Sequence, residues 1–177
     1  PKKKNRGQKI SRSPIHEYSN EINIPVRHPL TLDNSEELEH ITKLSPDIVV
    51  VVAYGKILPT KILNLKNMIF INVHASLLPK WRGAAPIQRA IMNCDHETGI
   101  SIMKVEPKLD TGPILTKSKI TITKETNYEE LNNKMSELGA KLILEAIDLI
   151  KKGKAEFVSQ NDKDATYAKK IEKAESK

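Results

Sequence analysis

Asp47-Ile-Val-Val-Val-Val-Ala53, closed by Tyr54-Gly55, is the stretch on which the fold turns. Its β-branched run lacks polar alternation, which predicts a strand covered on both faces, as in a parallel sheet. Just upstream, Ser45-Pro46 stops a helix expected over 35–44, with Asp33 or Asn34 as its cap. Glu36 and Glu37 stand in the first turn of that helix, where its dipole favours anions. Downstream, a short helix near 59–63 leads to a second apolar strand over 68–73. A helix over 84–93 follows, with Pro86 near its start, where proline is tolerated. Two more strands are expected at 99–105 and 113–122. The longest helix spans 128–151, where Leu131, Met135, Leu138, Leu142, Ile143, Ala146 and Leu149 form a core-facing stripe at spacings of three and four. Nearer the start lie a weak helix over 15–20 and a short strand at 24–26, interrupted by Pro25. Strands alternating with helices predict an α/β domain with a mainly parallel twisted sheet. Such a domain normally opens with a strand, but this chain opens with a basic loop, so the first strand is expected to be missing.

The chain's 177 residues suffice for one domain with a hydrophobic core but not comfortably for two. Hydrophobic residues at 38% and charged residues at 29% describe ordinary globular protein rather than disorder. No apolar run approaches the ~20 residues that cross a bilayer. The opening has no apolar segment of a secretory signal. The single cysteine, Cys94, has no partner for an internal disulfide and reads as a small, half-buried residue. Together these features point to the cytoplasm, with no membrane partner. Net charge is +7, and Lys2, Lys3, Lys4, Arg6, Lys9 and Arg12 all precede the first acid, Glu17. Such an arm either meets phosphates or is a solvated tail. His16, His28, His40 and His96 sit in polar surroundings and read as surface residues. Neither a dinucleotide-binding glycine motif nor a phosphate loop is present, and no ligand cluster suggests a metal.

In open α/β sheets, ligands bind beyond the carboxyl ends of strands. Three such ends carry unusual residues: 52–59, Asn72-Val-His-Ala-Ser-Leu-Leu-Pro79 and Leu109-Asp-Thr-Gly-Pro113. Asn72 and His74, two apart on a strand, project to one face. An amide and an imidazole so placed can hold a carbonyl oxygen as negative charge develops on it, although either residue can also be structural. Asp110 has three readings. It can be a turn carboxylate before glycine, a surface partner of Lys108, or the group that orients His74 and helps move a proton.

The segment from Asn72 through Ser76-Leu-Leu-Pro79 to Arg89, followed by 109–113, resembles the formyltransferases that use 10-formyltetrahydrofolate. Trp81-Arg-Gly-Ala-Ala-Pro-Ile-Gln88, Val51-Val-Ala-Tyr-Gly-Lys-Ile-Leu-Pro59 and Arg6-Gly-Gln-Lys-Ile10 are similar to the branch of that family acting on methionyl-tRNA. The resemblance implies a Rossmann-like catalytic domain over 1–152, partial and starting in the basic loop. It makes 153–177 a linker toward an absent C-terminal β-barrel domain. It places Asn72, His74 and Asp110 on the catalytic trio and Ser76, Leu77, Leu78 and Pro79 on the folate-contacting loop. Tyr54, Gly55, Ile57 and Leu58 fall beside the pterin pocket. Arg6, with Lys4 and Lys9, falls on a loop that enters the acceptor stem of initiator tRNA. The implied enzyme is a monomer that needs no metal. Its reaction is direct attack of the α-amino group on the formyl carbon, with Asn72 and His74 stabilising the oxyanion and Asp110 assisting proton transfer. Rival readings are a formyltetrahydrofolate hydrolase, an amino-sugar formyltransferase and a non-catalytic RNA-binding module.

Overall fold

The helices over 14–21, 35–44 and 128–151 begin where a side chain takes an otherwise orphaned backbone N–H. The computed structural model describes residues 2–4 and 9–176, and the chain divides into two compact units, Pro1–His40 and Ile41–Lys177. In the first unit, the basic arm expected as a loop or tail contains strands β1 (Lys2–Lys4) and β2 (Lys9–Ser11). They pair antiparallel with Lys4 opposite Lys9. Arg6 lies outside the described residues. Helix α1 (Pro14–Glu21) starts behind Ser13, whose hydroxyl accepts the His16 N–H at 3.2 Å. Helix α2 (Ser35–Leu44) starts behind Asn34, whose carbonyl oxygen accepts the Glu37 N–H at 2.8 Å. Arg27 pairs with Glu36 at 2.9 Å and with buried Glu37 at 2.6 Å. The strand expected at 24–26 does not form, since Pro25 has no N–H for a ladder.

The second unit is built on four strands: β3 (Ile48–Val52), β4 (Ile69–His74), β6 (Glu97–Lys104) and β7 (Ile114–Thr121). Helix α3 (Thr60–Leu63) joins β3 to β4. The two-residue strand β5 (Arg82–Gly83) and helix α4 (Pro86–Met92) lie between β4 and β6. The spatial order is β3-β4-β6-β7, and the sheet is mixed. Its β3–β4 pair is parallel, whereas β6 runs antiparallel to β4 and β7 antiparallel to β6. For β6 and β7 the reason is local: 105–113 joins them without a helix, and a parallel return needs a crossover of a dozen residues or more. Among the described residues the β-branched run stands at the end of the sheet, and Val50 and Val52 on one of its faces are exposed rather than covered.

Helix α5 (Tyr128–Lys151) lies across β6 and β7, and its buried stripe is Leu131, Met135, Gly139, Leu142 and Ala146. Together with Ile71, Ile100 and Ile102 it forms the core. Each fully buried aliphatic side chain there contributes roughly 1.5–3 kcal/mol. Gly139 sits where the helix meets β4, for a Cβ would stand 3.2 Å from a Val73 methyl.

Residues 153–176, expected as a linker, turn back along the unit instead. Val158 exchanges backbone hydrogen bonds with Ile114. Strand β8 (Tyr167–Ala168) pairs parallel with β5. Arg89 grips Glu175 at 2.6 Å.

Candidate active site

Strand β4 delivers Asn72 and His74 to one face, and Ile71 goes to the core on the other. Among the described residues, the half-buried Asn72 side-chain amide has no hydrogen-bond partner. The His74 ring is 5% exposed and has its two nitrogens in different surroundings. Nε2 lies 2.9 Å from the Trp81 carbonyl. A carbonyl oxygen only accepts, so Nε2 carries a proton and donates. Nδ1 faces the Asp110 carboxylate at 3.7 Å, beyond hydrogen-bond length. The variable proton of the ring is therefore the one between His74 and Asp110. Any donation by His74 to an incoming oxygen must also come from Nδ1.

Asp110 is held by backbone and side chain alike. Its Oδ2 accepts the Gly83 N–H at 2.8 Å, and its main chain is left-handed, with φ at 51°. The Gln160 side-chain amide donates to the Asp110 carbonyl at 2.9 Å and to the Gly112 carbonyl at 2.7 Å. The same amide accepts from Arg82 Nε at 3.0 Å and Nη2 at 2.8 Å. Arg82 is 1% exposed and also pairs with Asp162 at 2.8 Å. On the other side, the Trp81 N–H donates to the Thr166 hydroxyl and its indole N–H to Asp95 Oδ2. Asp95 also takes Lys80 Nζ and the Asn93 amide. Burial works against its charge, and the Lys80, Trp81 and Asn93 donors outweigh that, holding the carboxyl below its ordinary value.

Residues 1–147 match the family model described as formyl transferase. The chain belongs to the formyl transferase family. Among curated relatives, it is 53% identical over 176 residues to the methionyl-tRNA formyltransferase of Pelagibacter ubique, covering 99% of this chain and 57% of the relative. It is 48% identical over 172 residues to that of Wolbachia from Drosophila simulans, covering 97% and 57%. The chain thus spans just over half the length of the relatives it matches. Among solved structures, phosphoribosylglycinamide formyltransferase from Bacillus halodurans superposes with a TM-score of 0.63 at 27% identity, covering 72% of this chain and 70% of that one. HypX from Aquifex aeolicus, solved with tetrahydrofolic acid, shares the fold with a TM-score of 0.68 at 16% identity, covering 76% and 23%.

Within this formyl transferase chain, the residues read as folate contacts fall at one end of the sheet. Val52 of β3 stands opposite Val73 of β4 in parallel register, so the segments that follow, 54–58 and 76–79, leave the same edge. Tyr54, Gly55 and Ile57 are exposed there, while Leu58 is buried. Burial of part of the Tyr54 ring raises its phenol above the ordinary value. In the second segment, Ser76 and Leu78 are fully buried. The Ser76 hydroxyl donates to the Lys80 carbonyl, and Ser101 ties the loop down by donating to the Ser76 carbonyl and accepting the Leu78 N–H. Leu77 and Pro79 keep some surface, and the Leu78–Pro79 peptide is cis. Lys4 and Lys9 face each other across the β1–β2 pair in the other unit.

Sequence reasoning passed over Gln160, Arg82, Thr166 and Asp95. The stretch containing Gln160 and Thr166 is polar and carries no periodicity, and the value of each residue lies in partners about 80 positions away. Arg82 did offer a signal, a charge between Trp81 and Gly83 inside a family stretch. Among the described residues, no group of three His, Cys, Asp or Glu side chains could hold a metal, and no helix is long and apolar enough to cross a membrane.

Proposed function

We propose that the protein carrying this chain transfers a formyl group from 10-formyltetrahydrofolate to the α-amino group of methionyl-initiator tRNA. The observation that carries this reading is the unpartnered Asn72 amide on the same face as a His74 ring whose free position meets Asp110. The names of the relatives support the acceptor, and the folate bound by HypX supports the class of donor. The residues present suit a folate. Exposed Tyr54 and Ile57 offer apolar surface at the strand ends, and residues 54–57 are all exposed there.

The folate supplies the formyl group, and this chain's residues supply placement and proton handling. As the amine attacks the formyl carbon, charge develops on the formyl oxygen, and Asn72 donates to it. A donor fixed in advance in this way contributes roughly 3–4 kcal/mol to lowering the barrier. The Nδ1–H of His74 is the second donor. Asp110, whose carboxylate lies 3.7 Å from that ring nitrogen, takes up the proton that the amine gives up and helps pass it to the folate nitrogen as the bond from that nitrogen to the formyl carbon breaks. The Gly83 N–H and the Gln160 side-chain amide keep the carboxylate in reach.

The tRNA would be held by the basic arm, with Lys4 and Lys9 on phosphates and Arg6 reaching into the acceptor stem. Arg6→Ala should lower kcat/KM for charged initiator tRNA and leave folate affinity alone; unchanged tRNA kinetics would remove Arg6 from this role. The catalytic unit is best drawn through the docked segment to Ala168, not ended at 152.

The deciding experiment uses the protein at its full natural length and follows formyl transfer from 10-formyltetrahydrofolate to charged initiator tRNA. Asp110→Asn is expected to abolish transfer while folate binding stays intact, and His74→Ala to lose transfer as well. Asp110→Asn with most of its activity left would sink the role of that carboxylate. Formate released without transfer would favour the hydrolase reading.

A further inference from the structure

We propose that Gln160 is a positioning residue whose side-chain amide sets Asp110 against His74. This inference rests on the reading of Asp110 given above. The amide orientation is fixed by chemistry: Arg82 can only donate and the carbonyls of Asp110 and Gly112 can only accept. The oxygen therefore faces the guanidinium and the nitrogen faces the turn. All four of its hydrogen-bonding capacities are used, two donated and two accepted. Its two donated bonds straddle Thr111, so they fix both ends of the turn that carries the carboxylate. That turn needs fixing, because Asp110 is left-handed at φ 51° and, among the described residues, its carboxylate is hydrogen-bonded by the Gly83 N–H alone. The acceptor half of the amide is fixed in turn by buried Arg82, which belongs to β5, the strand that carries Gly83. Gln160 and Gly83 thus hold Asp110 from two sides of one rigid element, and the 3.7 Å separation from His74 Nδ1 follows from both.

Glutamate is the informative replacement. It keeps the shape and strengthens the contact with Arg82, but it has no hydrogens for the Asp110 and Gly112 carbonyls. In the full-length protein, Gln160→Glu is expected to fold with a lowered melting temperature, since a carboxylate oxygen then faces two carbonyl oxygens, and to bind folate with unchanged affinity. Its kcat for formyl transfer should fall by roughly tenfold to a hundredfold, the loss that accompanies displacement of a catalytic group by about an ångström. Its KM for folate should stay the same. Gln160→Met made together with Arg82→Met removes the clamp without leaving a buried cation short of acceptors, and is read in its place should the glutamate variant fail to fold. Wild-type kcat in the folded variant would overturn the proposal, as would a loss of activity that only tracks the loss of folded protein. A wild-type protein that transfers no formyl group would instead remove the functional reading beneath it, and the two failures are told apart in the same assay.

Discussion

Asp95 holds the indole of Trp81, whose carbonyl meets Nε2 of His74, one of the proposed catalytic residues. Its carboxylate, 5% exposed, accepts from Lys80 Nζ at 2.9 Å, Trp81 Nε1 at 2.7 Å and the Asn93 amide at 2.7 Å. Trp81 needs such support, because its backbone is left-handed at φ 63°, which costs a non-glycine residue about 1–2 kcal/mol. The Asp95 carboxyl is held below its ordinary value of 3.8 in the fold. The stability it contributes is therefore fully present above pH 3.8 and is lost as pH falls through the lower folded value. Asp95→Asn should lower the melting temperature at neutral pH, and the gap from wild type should close as melts are taken into the acid range. A gap of constant size at every pH would mean that Asp95 acts through packing and not through charge.

Elements meet most closely at two glycines. A Cβ on Gly112 would stand 1.9 Å from the Lys104 carbonyl, and one on Gly99 would stand 2.0 Å from the Ser118 carbonyl and 2.8 Å from a Leu77 methyl. Backbone cannot yield as a side-chain tip does. Gly99→Ala should cost at least the roughly 1–3 kcal/mol of an overpacked core, measured by denaturant unfolding, because β6 and β7 must part. Unchanged stability would show that the two strands separate freely. Gly112→Ala should cost activity as well, since Gly112 lies in the turn gripped by Gln160. At this scale the sequence was legible wherever the signal was local. The spans 35–44 and 128–151 agree with α2 and α5, because a capping asparagine and an apolar stripe act within one helix. The direction of β6 and β7 was not legible, because a run of apolar residues reads the same parallel or antiparallel. The pairing of β5 with β8 joins residues about 85 positions apart through two-residue strands too short to show a period.

At the scale of the whole molecule, the shared face of Asn72 and His74 was legible because spacing on one strand fixes it, whereas spacing left the place of Asp110 open and only the resemblance set it beside His74. The surrounding support was hidden, since Gln160, Asp162 and Thr166 reach Arg82 and Trp81 from a stretch that looks like a polar linker. Ending the chain at Lys152 would remove the β8 strand, the Val158–Ile114 pairing and the clamp on Asp110 together. Such a truncation should lower the melting temperature sharply and abolish formyl transfer, whereas an active product would show that the docked segment is dispensable. The buried Arg82 guanidinium has a consequence for how this sequence can drift. Its charge is 1% exposed and is satisfied by two side chains from a distant stretch, so losing one partner leaves a buried cation short of acceptors. Positions 82, 160 and 162 are therefore expected to behave as one epistatic block in a mutational scan: single changes at 82 or 160 are purged, and the combinations that survive replace the cation and its acceptors in concert.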